Sequence, residues 1–571
     1  MHRGVGDGWW DVPVSVVLVA ADPTRPGVVE LRSAPDTATV VAEGLGAGRT
    51  VPREQLAASV AALEEAEHPR WVWDDTERWY PELLAAGVRV RRAHDLRLCH
   101  AILRRSSRTT GTRFAAAPPT AWDAAGPTVE PAPPSLFDDL EPAVAGLPDP
   151  ATEYREQLRC LVDSQDDGRL RLLLAAESVG ALIADELRFD GLPWRADLHD
   201  VLLTDLLGPR PPEGQRPAKL QELAQVIAAA LERPGLNPDS PPELLRALRA
   251  AGLDVATTRK WELRQHDHPV IEPLLAYKKL ARLLTANGWA WMDRWATGGR
   301  FRPDYVPAGV VTGRWASSGG GALQLPAGIR SAVRADPGHV LVVADAAQLE
   351  PRVLAAMSGD RAMAAAGRQA DLYEAVVQAG IVQDRQQAKY AMLGAIYGAT
   401  TGASAMLMPQ LARGYPQAVE LVERAARAGE RGEQVTTWLG RSSPLPSADS
   451  RAERLAAGGE GGDESTAREA RRHARDWGRF TRNFVVQGTA AEWALCWMAV
   501  LRQRLVGLPG RPHLVFFLHD ELMVHSPVDQ AEIVAQAVRD SAVEAGRLLF
   551  GDTPVEFALD LAVVDSYDQA G

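Results

Sequence analysis

The sequence predicts an α+β chain of several domains, and three observations carry that expectation. The chain has 571 residues, which at ~150 residues per domain makes three or four domains. Its character changes along its length, from mixed strand and helix, through an almost wholly helical middle, to a C-terminal part where strands and helices alternate. A stretch rich in Pro, Ala, Thr and Gly separates the first part from the rest.

Residues 1–105 read as a small α/β unit. "VPVSVVLVA" and "TRPGVVELRSA" are strand-like, and "REQLAASVAALEEAEH" carries Leu56, Val60 and Leu63 at helical spacing. Residues 106–150 are a linker by composition. From 151 to about 300 the pattern is helical. In "SPPELLRALRAAGL", Ser240 is placed as an N-cap, prolines fill the first turn, Glu243 stands three residues after the cap, and Gly252 is a stop signal. "HPVIEPLLAYKKLARLLTANG" puts its apolar residues on one stripe and stops near Gly288. Farther on, "AGGEGGDESTAREARRHARD" reads as a mobile segment leading into a charged helix.

Composition excludes some classes of function. Hydrophobic residues make up 46% and charged residues 24%, as in ordinary globular proteins. The sequence offers no run of about 18 uncharged apolar residues, so no membrane span is expected. Asp7 and Asp11 sit where a signal peptide would want basic residues. Cys99, Cys160 and Cys496 lie far apart. That argues against a disulfide framework or a zinc site and suits a reducing cytoplasm, the expected location, with association to the nucleoid. Taken alone, the net charge of −12 counts against a nucleic-acid partner, because phosphate binding wants a basic surface. It leaves room for a basic cleft between acidic faces.

Three segments carry chemistry. In "VVADAAQLEPRVLAAMSGD", an apolar run from Val340 to Ala344 ends on Asp345, and a helical pattern follows with Leu349, Val353 and Met357. A strand ending on an acid at a sheet edge can present it to a metal; the same Asp can equally cap the next helix. In "LVFFLHDELMVHSP", apolar runs flank His519, Asp520 and Glu521, which predicts a hairpin with a charged turn. Hairpin turns usually use Gly and Asn, so His-Asp-Glu is unusual there. Two hairpin carboxylates beside a strand-end carboxylate make a hard-oxygen site suited to Mg²⁺ and phosphoryl transfer. In "DRQQAKYAMLGAIYGA", Arg385, Lys389, Leu393 and Tyr397 recur every four residues and share one helix face. That face is either a solvated basic stripe or a seat for a nucleoside triphosphate, with cations at the phosphates.

Taken in chain order, 342–360, 384–399 and 514–527, the three segments resemble motifs A, B and C of family A DNA polymerases, the bacterial DNA polymerase I family. "VTGRWASSGGGALQLP", "TWLGR", "GRFTRNFVVQGTAAEWA" and "DELRFDGLPW" resemble further segments of that family, and the likeness runs from about residue 170 to 571. It implies a right-hand polymerase over 151–571: a helical thumb at about 170–300, a palm with an antiparallel sheet at about 300–360 and 476–571, and helical fingers at about 361–475. It implies an N-terminal α/β RNase H-like, exonuclease-like domain over 1–105. The expected activity is template-directed DNA synthesis in replication or repair. A non-catalytic DNA binder and a single-subunit RNA polymerase are the other readings; intact Asp345, Asp520, Arg385 and Lys389 disfavour the first, and Glu350 with the Gln487 segment disfavours the second.

By the same resemblance, Asp345 and Asp520 would hold two Mg²⁺ ions, with Mn²⁺ as the alternative, and Glu521 would stand beside them as a secondary acid. Glu350 would crowd the sugar 2′ position. Gln348, Arg385, Lys389, Leu393, Tyr397 and Tyr373 would line the dNTP site. Arg314, Gln324, Arg479, Asn483, Gln487 and His519 would touch primer-template DNA. Arg352 completes motif A; its other reading is a buried structural ion pair. The spelling departs from the family at Ala346, Ala347 and Pro351, at Leu393, where an aromatic residue is usual, and at Tyr373, where a His is usual. Leu393 cannot stack on a base as a ring would.

The exonuclease-like domain is expected to be inactive. Its first strand lacks the Asp-x-Glu pair, the closing Tyr-x-x-x-Asp signature is missing, and only Asp74, Asp75 and Asp95 resemble its acids. A preceding 5′-nuclease domain is not expected. "PPSLFDDL", with Leu136 and Phe137, resembles sliding-clamp binding peptides without their leading Gln, and can also be an incidental apolar pair. The expected partners are thus primer-template DNA, dNTPs and a clamp, with no membrane, for a monomer.

Overall fold

The computed structural model describes residues 14–124, 147–321, 325–398, 402–446 and 464–570. In the N-terminal unit, five strands form a sheet in the order Arg49–Pro52, Val28–Ala34, Val16–Ala21, Arg70–Trp73, Arg92–Asp95. The first three pair antiparallel, and the last two join Val16–Ala21 in parallel. Alternation along Val16–Ala21 sends Val16 and Leu18 to one face and Val17 and Val19 to the other, so helices cover both faces.

One helix joins this unit to the rest. Asp167–Asp190 is buried along most of its length. Leu182 packs with the N-terminal sheet, while Leu170, Leu173 and Val179 belong to the core shared with the C-terminal region. Near its end, Glu186 accepts bidentate hydrogen bonds from the buried Arg502 at 2.9 and 2.7 Å, and Tyr80 donates to the same carboxylate at 2.5 Å. Arg502 also donates to the Val90 carbonyl at 2.6 Å. A buried pair of this kind holds only when its remaining hydrogen-bonding groups are met, as they are here.

The C-terminal region centres on a four-stranded antiparallel sheet, ordered His513–Leu518, Glu521–Pro527, His339–Ala346, Leu559–Val564. Its faces alternate by residue. Leu341, Val343, Phe516 and Met523 face one core with Tyr567, whereas Val342, Ala344, Leu522 and Val524 face the helices Glu464–Leu505 and Ala531–Phe550. Helix Glu464–Leu505 contains a stretch long and apolar enough to cross a membrane, with mean hydropathy 1.4, but 89% of that window is buried inside the protein. It is the core helix of the fold.

The structure corrects three expectations. The linker does not begin at 106. Residues 106–124 form short helical turns capped by Ser106, Thr112 and Thr120, and Trp122 is buried against His100. Ser and Thr side chains satisfy the local backbone, and one large ring supplies the anchor that composition alone hides. Residues 125–146, with Leu136 and Phe137, lie outside the described residues, as does the 447–463 segment. The Ser240 capping box does not form: Ser240 makes no side-chain cap bond, and Glu243 instead accepts from the Asn237 N–H at 3.2 Å. Finally, the strand carrying Asp345 is interior to its sheet and not at an edge.

Candidate active site

Asp345 lies one residue from the end of strand His339–Ala346. Its register neighbours are both acids, Glu521 on one side and Asp560 on the other. The following helix, Leu349–Ser358, takes Gln348 and not Asp345 as its N-cap, so the capping reading fails. The hairpin turn is His519-Asp520, with His519 at a left-handed φ of 59°. The Ala346 N–H donates to the Asp520 carbonyl at 2.9 Å, which ties the turn to the strand end.

Burial and mutual repulsion raise these carboxyls. Asp345 is pushed up to about 6, first by burial and then by Asp520 and Asp560, against the pull of Arg330. Asp520 is also pushed up to about 6, mainly by burial, with Glu350 and Glu521 adding and Arg314 opposing. Burial raises Glu521 too, while the Tyr567 hydroxyl donates to it at 2.9 Å and lowers it. Among the described residues no three His, Cys, Asp or Glu side chains are gathered as a ready-made metal cage. Asp345 and Asp520 offer carboxylate oxygens only, the donor type that Mg²⁺ accepts beside waters and substrate phosphates.

Glu350, in the first turn of its helix, accepts an ion-paired hydrogen bond from Arg314 and a 2.8 Å bond from the Tyr397 hydroxyl. Three sequence-distant segments therefore meet on one carboxylate. The helix Arg385–Tyr397 buries Ala388, Ala391, Met392, Ala395 and Ile396. Arg385, Lys389 and Tyr397 are exposed and Leu393 is half-buried, so the expected four-residue stripe faces outward. Arg385 Nε donates to Asp371 at 2.6 Å, and its guanidinium lies 5.6 Å from the centre of the Tyr373 ring. Gln348 is engaged through both ends of its amide: Nε2 donates to Asp371 at 2.9 Å, and Oε1 accepts from the Leu372 N–H at 2.8 Å.

On helix Glu464–Leu505, Arg479, Asn483 and Gln487 fall at four-residue intervals on the less buried face. Gly488 lets that helix approach closely: a Cβ there would meet the Thr437 side chain at 2.5 Å and the Thr312 carbonyl at 3.1 Å. This seats the "TWLGR" turn and the loop carrying Arg314 against the helix. His519 is exposed, with its pKa lowered by burial of its ring and by Arg314. Gln324 lies outside the described residues.

Arg352 requires a correction. It is fully buried, but its partners are not acids. Its N–H groups donate to the carbonyls of Ala347, Gly367, Glu556, Gln369 and Ala370, at 2.8, 2.8, 2.7, 2.9 and 2.6 Å. The guanidinium gathers backbone carbonyls that would otherwise be left without donors. Asp74, Asp75 and Asp95 likewise serve local structure. Asp74 accepts from Trp79 Nε1 at 2.6 Å. Asp75 caps helix Thr76–Ala85, and Asp95 accepts from the Thr76 N–H and hydroxyl at 2.8 and 2.7 Å. Sequence reasoning missed Asp560, Arg330, Tyr567 and Asp371. Asp560, Arg330 and Tyr567 lie outside every motif read from the sequence, Asp371 stands two residues before Tyr373, and only strand register and packing bring them to the site.

A model of DNA polymerase family A matches residues 217–568. The chain is 28% identical over 376 residues to the DNA polymerase I of Chloroflexus aurantiacus, covering 61% of this chain and 37% of that protein. It is 26% identical over 398 residues to the thermostable DNA polymerase I of Thermus aquaticus, covering 64% and 42%. The chain thus spans well under half the length of these relatives. A solved structure of the POL domain of Pol1 from M. smegmatis, in complex with DNA primer-template and dNTP, is similar in fold, with a TM-score of 0.64 over 98% of this chain and 96% of that one at 17% identity.

Proposed function

The chain belongs to DNA polymerase family A, and from that premise we propose that it is a DNA-directed DNA polymerase that extends a primer 3′-hydroxyl with dNTPs in replication or repair. The observation that carries the proposal is the convergence of Asp345, Asp520 and Glu350 with an outward stripe of Arg385, Lys389, Leu393 and Tyr397. Asp345 and Asp520 would hold two Mg²⁺ ions, or Mn²⁺. When bound, these would lower the charge cost at the attacking and leaving oxygens. Arg385 and Lys389 neutralise the triphosphate, which is most of what phosphoryl transfer asks of a protein. Glu350, fixed by Arg314 and Tyr397, blocks a 2′-hydroxyl. Arg314, His519, Arg479, Asn483 and Gln487 face the primer-template.

In this reading the central sheet is the palm, the Arg385–Tyr397 helix belongs to the fingers, and the helices of about 170–300 form the thumb. The 3-2-1-4-5 strand order of the N-terminal sheet, antiparallel then parallel, supports an RNase H-like, exonuclease-derived domain. We propose that it is catalytically silent, because Asp74, Asp75 and Asp95 are committed to caps and side-chain bonds. A cytoplasmic monomer that engages a clamp through Leu136 and Phe137 completes the proposal.

Primer extension with a labelled primer, dNTPs and Mg²⁺ tests it, with Asp345→Asn and Asp520→Asn as controls. Extension lost in both variants is expected. Template binding without extension by the wild type would instead support a non-catalytic DNA binder. The same labelled primer with a mismatched end and no dNTP should stay intact; shortening abolished by Asp75→Asn would overturn the silent-domain proposal.

A further inference from the structure

We infer that Asp371 is a positioning residue that competes with the nucleotide phosphates for Arg385, setting how tightly the triphosphate and the departing pyrophosphate are held. The inference rests on the polymerase reading above. Arg385 opens its helix and is one of the two cations assigned to the phosphates, yet its Nε is already bound to Asp371 Oδ2 at 2.6 Å. The pair is not sealed away, since the Arg385 and Asp371 side chains are 56% and 35% exposed. The carboxylate, however, is fixed. Its Oδ1 accepts from Gln348 Nε2 and the Tyr373 N–H, both at 2.9 Å, and from the Glu374 N–H at 3.2 Å.

That division of labour gives the residue a second role beyond capping helix Leu372–Gln378. One oxygen is anchored to the backbone and to Gln348, at the start of the helix that carries Glu350. The other is offered to the guanidinium. A carboxylate and a phosphate present the same kind of acceptor to Arg, so an arriving triphosphate must displace Asp371 to engage Arg385 fully. The Tyr373 ring beneath the guanidinium keeps Arg385 in place during that exchange. The competition weakens binding of substrate, and equally weakens retention of pyrophosphate after the bond forms.

The test uses Asp371→Asn in the full chain, because Asn still caps a helix but cannot pair with Arg. Steady-state primer extension is measured against dNTP concentration and against added pyrophosphate. The KM for dNTP should fall about two- to fivefold, the range an exposed ion pair supports. Pyrophosphate inhibition should tighten by the same factor, with no rise in kcat. Asp371→Ser, another neutral cap, should behave alike. In an Arg385→Ala background the Asp371→Asn change should leave KM alone. An unchanged or raised KM in both neutral-cap variants, or an equal shift without Arg385, overturns the inference while the polymerase reading stands. No extension by the wild type overturns both.

Discussion

Replacing Asp520 by Asn should stabilise the metal-free protein at about pH 8 and leave it unchanged at about pH 3, below the unfolded pKa. Burial first, and then Glu350 and Glu521, push the Asp520 carboxyl up from 3.8 to about 6. A carboxyl raised in the folded state binds its proton more tightly there than in the unfolded chain. Folding is therefore opposed by the charged form, not helped by it. The penalty is absent below the unfolded pKa, grows between 3.8 and about 6, and is complete above that. Two units at ~1.36 kcal/mol each set a ceiling of ~3 kcal/mol. The side chain is partly exposed, and Asp345, itself at about 6, relaxes once its neighbour is neutral. The expected gain is therefore ~1–1.5 kcal/mol, or roughly 1–2 °C in Tm for a chain this long. Thermal melts of both proteins with a chelator, at the two pH values and low salt, measure it. Added Mg²⁺ should raise the wild type more than the variant, because only the wild type keeps both carboxylates. An Asn variant that melts at or below the wild type at pH 8 in chelator would refute the reasoning.

Other expected outcomes follow from single side chains. Glu350→Ala removes the carboxylate held by Arg314 and Tyr397; ribonucleotide use relative to deoxyribonucleotide should rise by about 10- to 100-fold in kcat/KM, and an unchanged ratio would sink the gate. Leu393→Phe adds a ring to the half-buried position of the stripe; the dNTP KM should fall about 2- to 10-fold, whereas unchanged dNTP and dideoxynucleotide use counts against stacking there. Arg352→Met strips donors from five backbone carbonyls; a loss of ~3–5 kcal/mol is expected in denaturant melts, and a loss under ~1 kcal/mol would show that water replaces the guanidinium.

What could be read from the chain was what repeats locally. Asp345, the hairpin acids and the Arg385–Tyr397 stripe are visible because strand and helix periods are short. Asp560 was invisible because its neighbourhood to Asp345 is a matter of register between strands far apart in sequence. For Arg352 the alternative of a buried ion pair fails because folding brings carbonyls to it and not acids, and no local pattern announces that. The linker began too early because Ser, Thr and Ala are counted as loop formers even where they cap short turns around a buried Trp122. The bonds Gln348 makes through both ends of its amide, to Asp371 and to the Leu372 N–H, were equally out of reach, because they join segments more than twenty residues apart.

The fate of the N-terminal acids has a physical logic. A carboxylate at a strand end beside a helix start can serve a metal or the helix, and the choice turns on which donors surround it. Asp75 caps Thr76–Ala85 and pairs with Arg97 at 3.3 Å, while Asp95 is met by Thr76 and by the Leu98 N–H at 3.0 Å. Once donors of that kind occupy the oxygens, a cation must break them to bind, and the domain gains stability where a nuclease would keep its carboxylates free. The rest of the domain is tied into the C-terminal core. Its sheet buries one face of Asp167–Asp190 through Leu182, and its Tyr80 completes the Glu186–Arg502 pair. Without that sheet, a buried carboxylate and guanidinium would lose a partner and an apolar helix face would meet water. Held by these contacts, the N-terminal sheet acts as a wall of the C-terminal core.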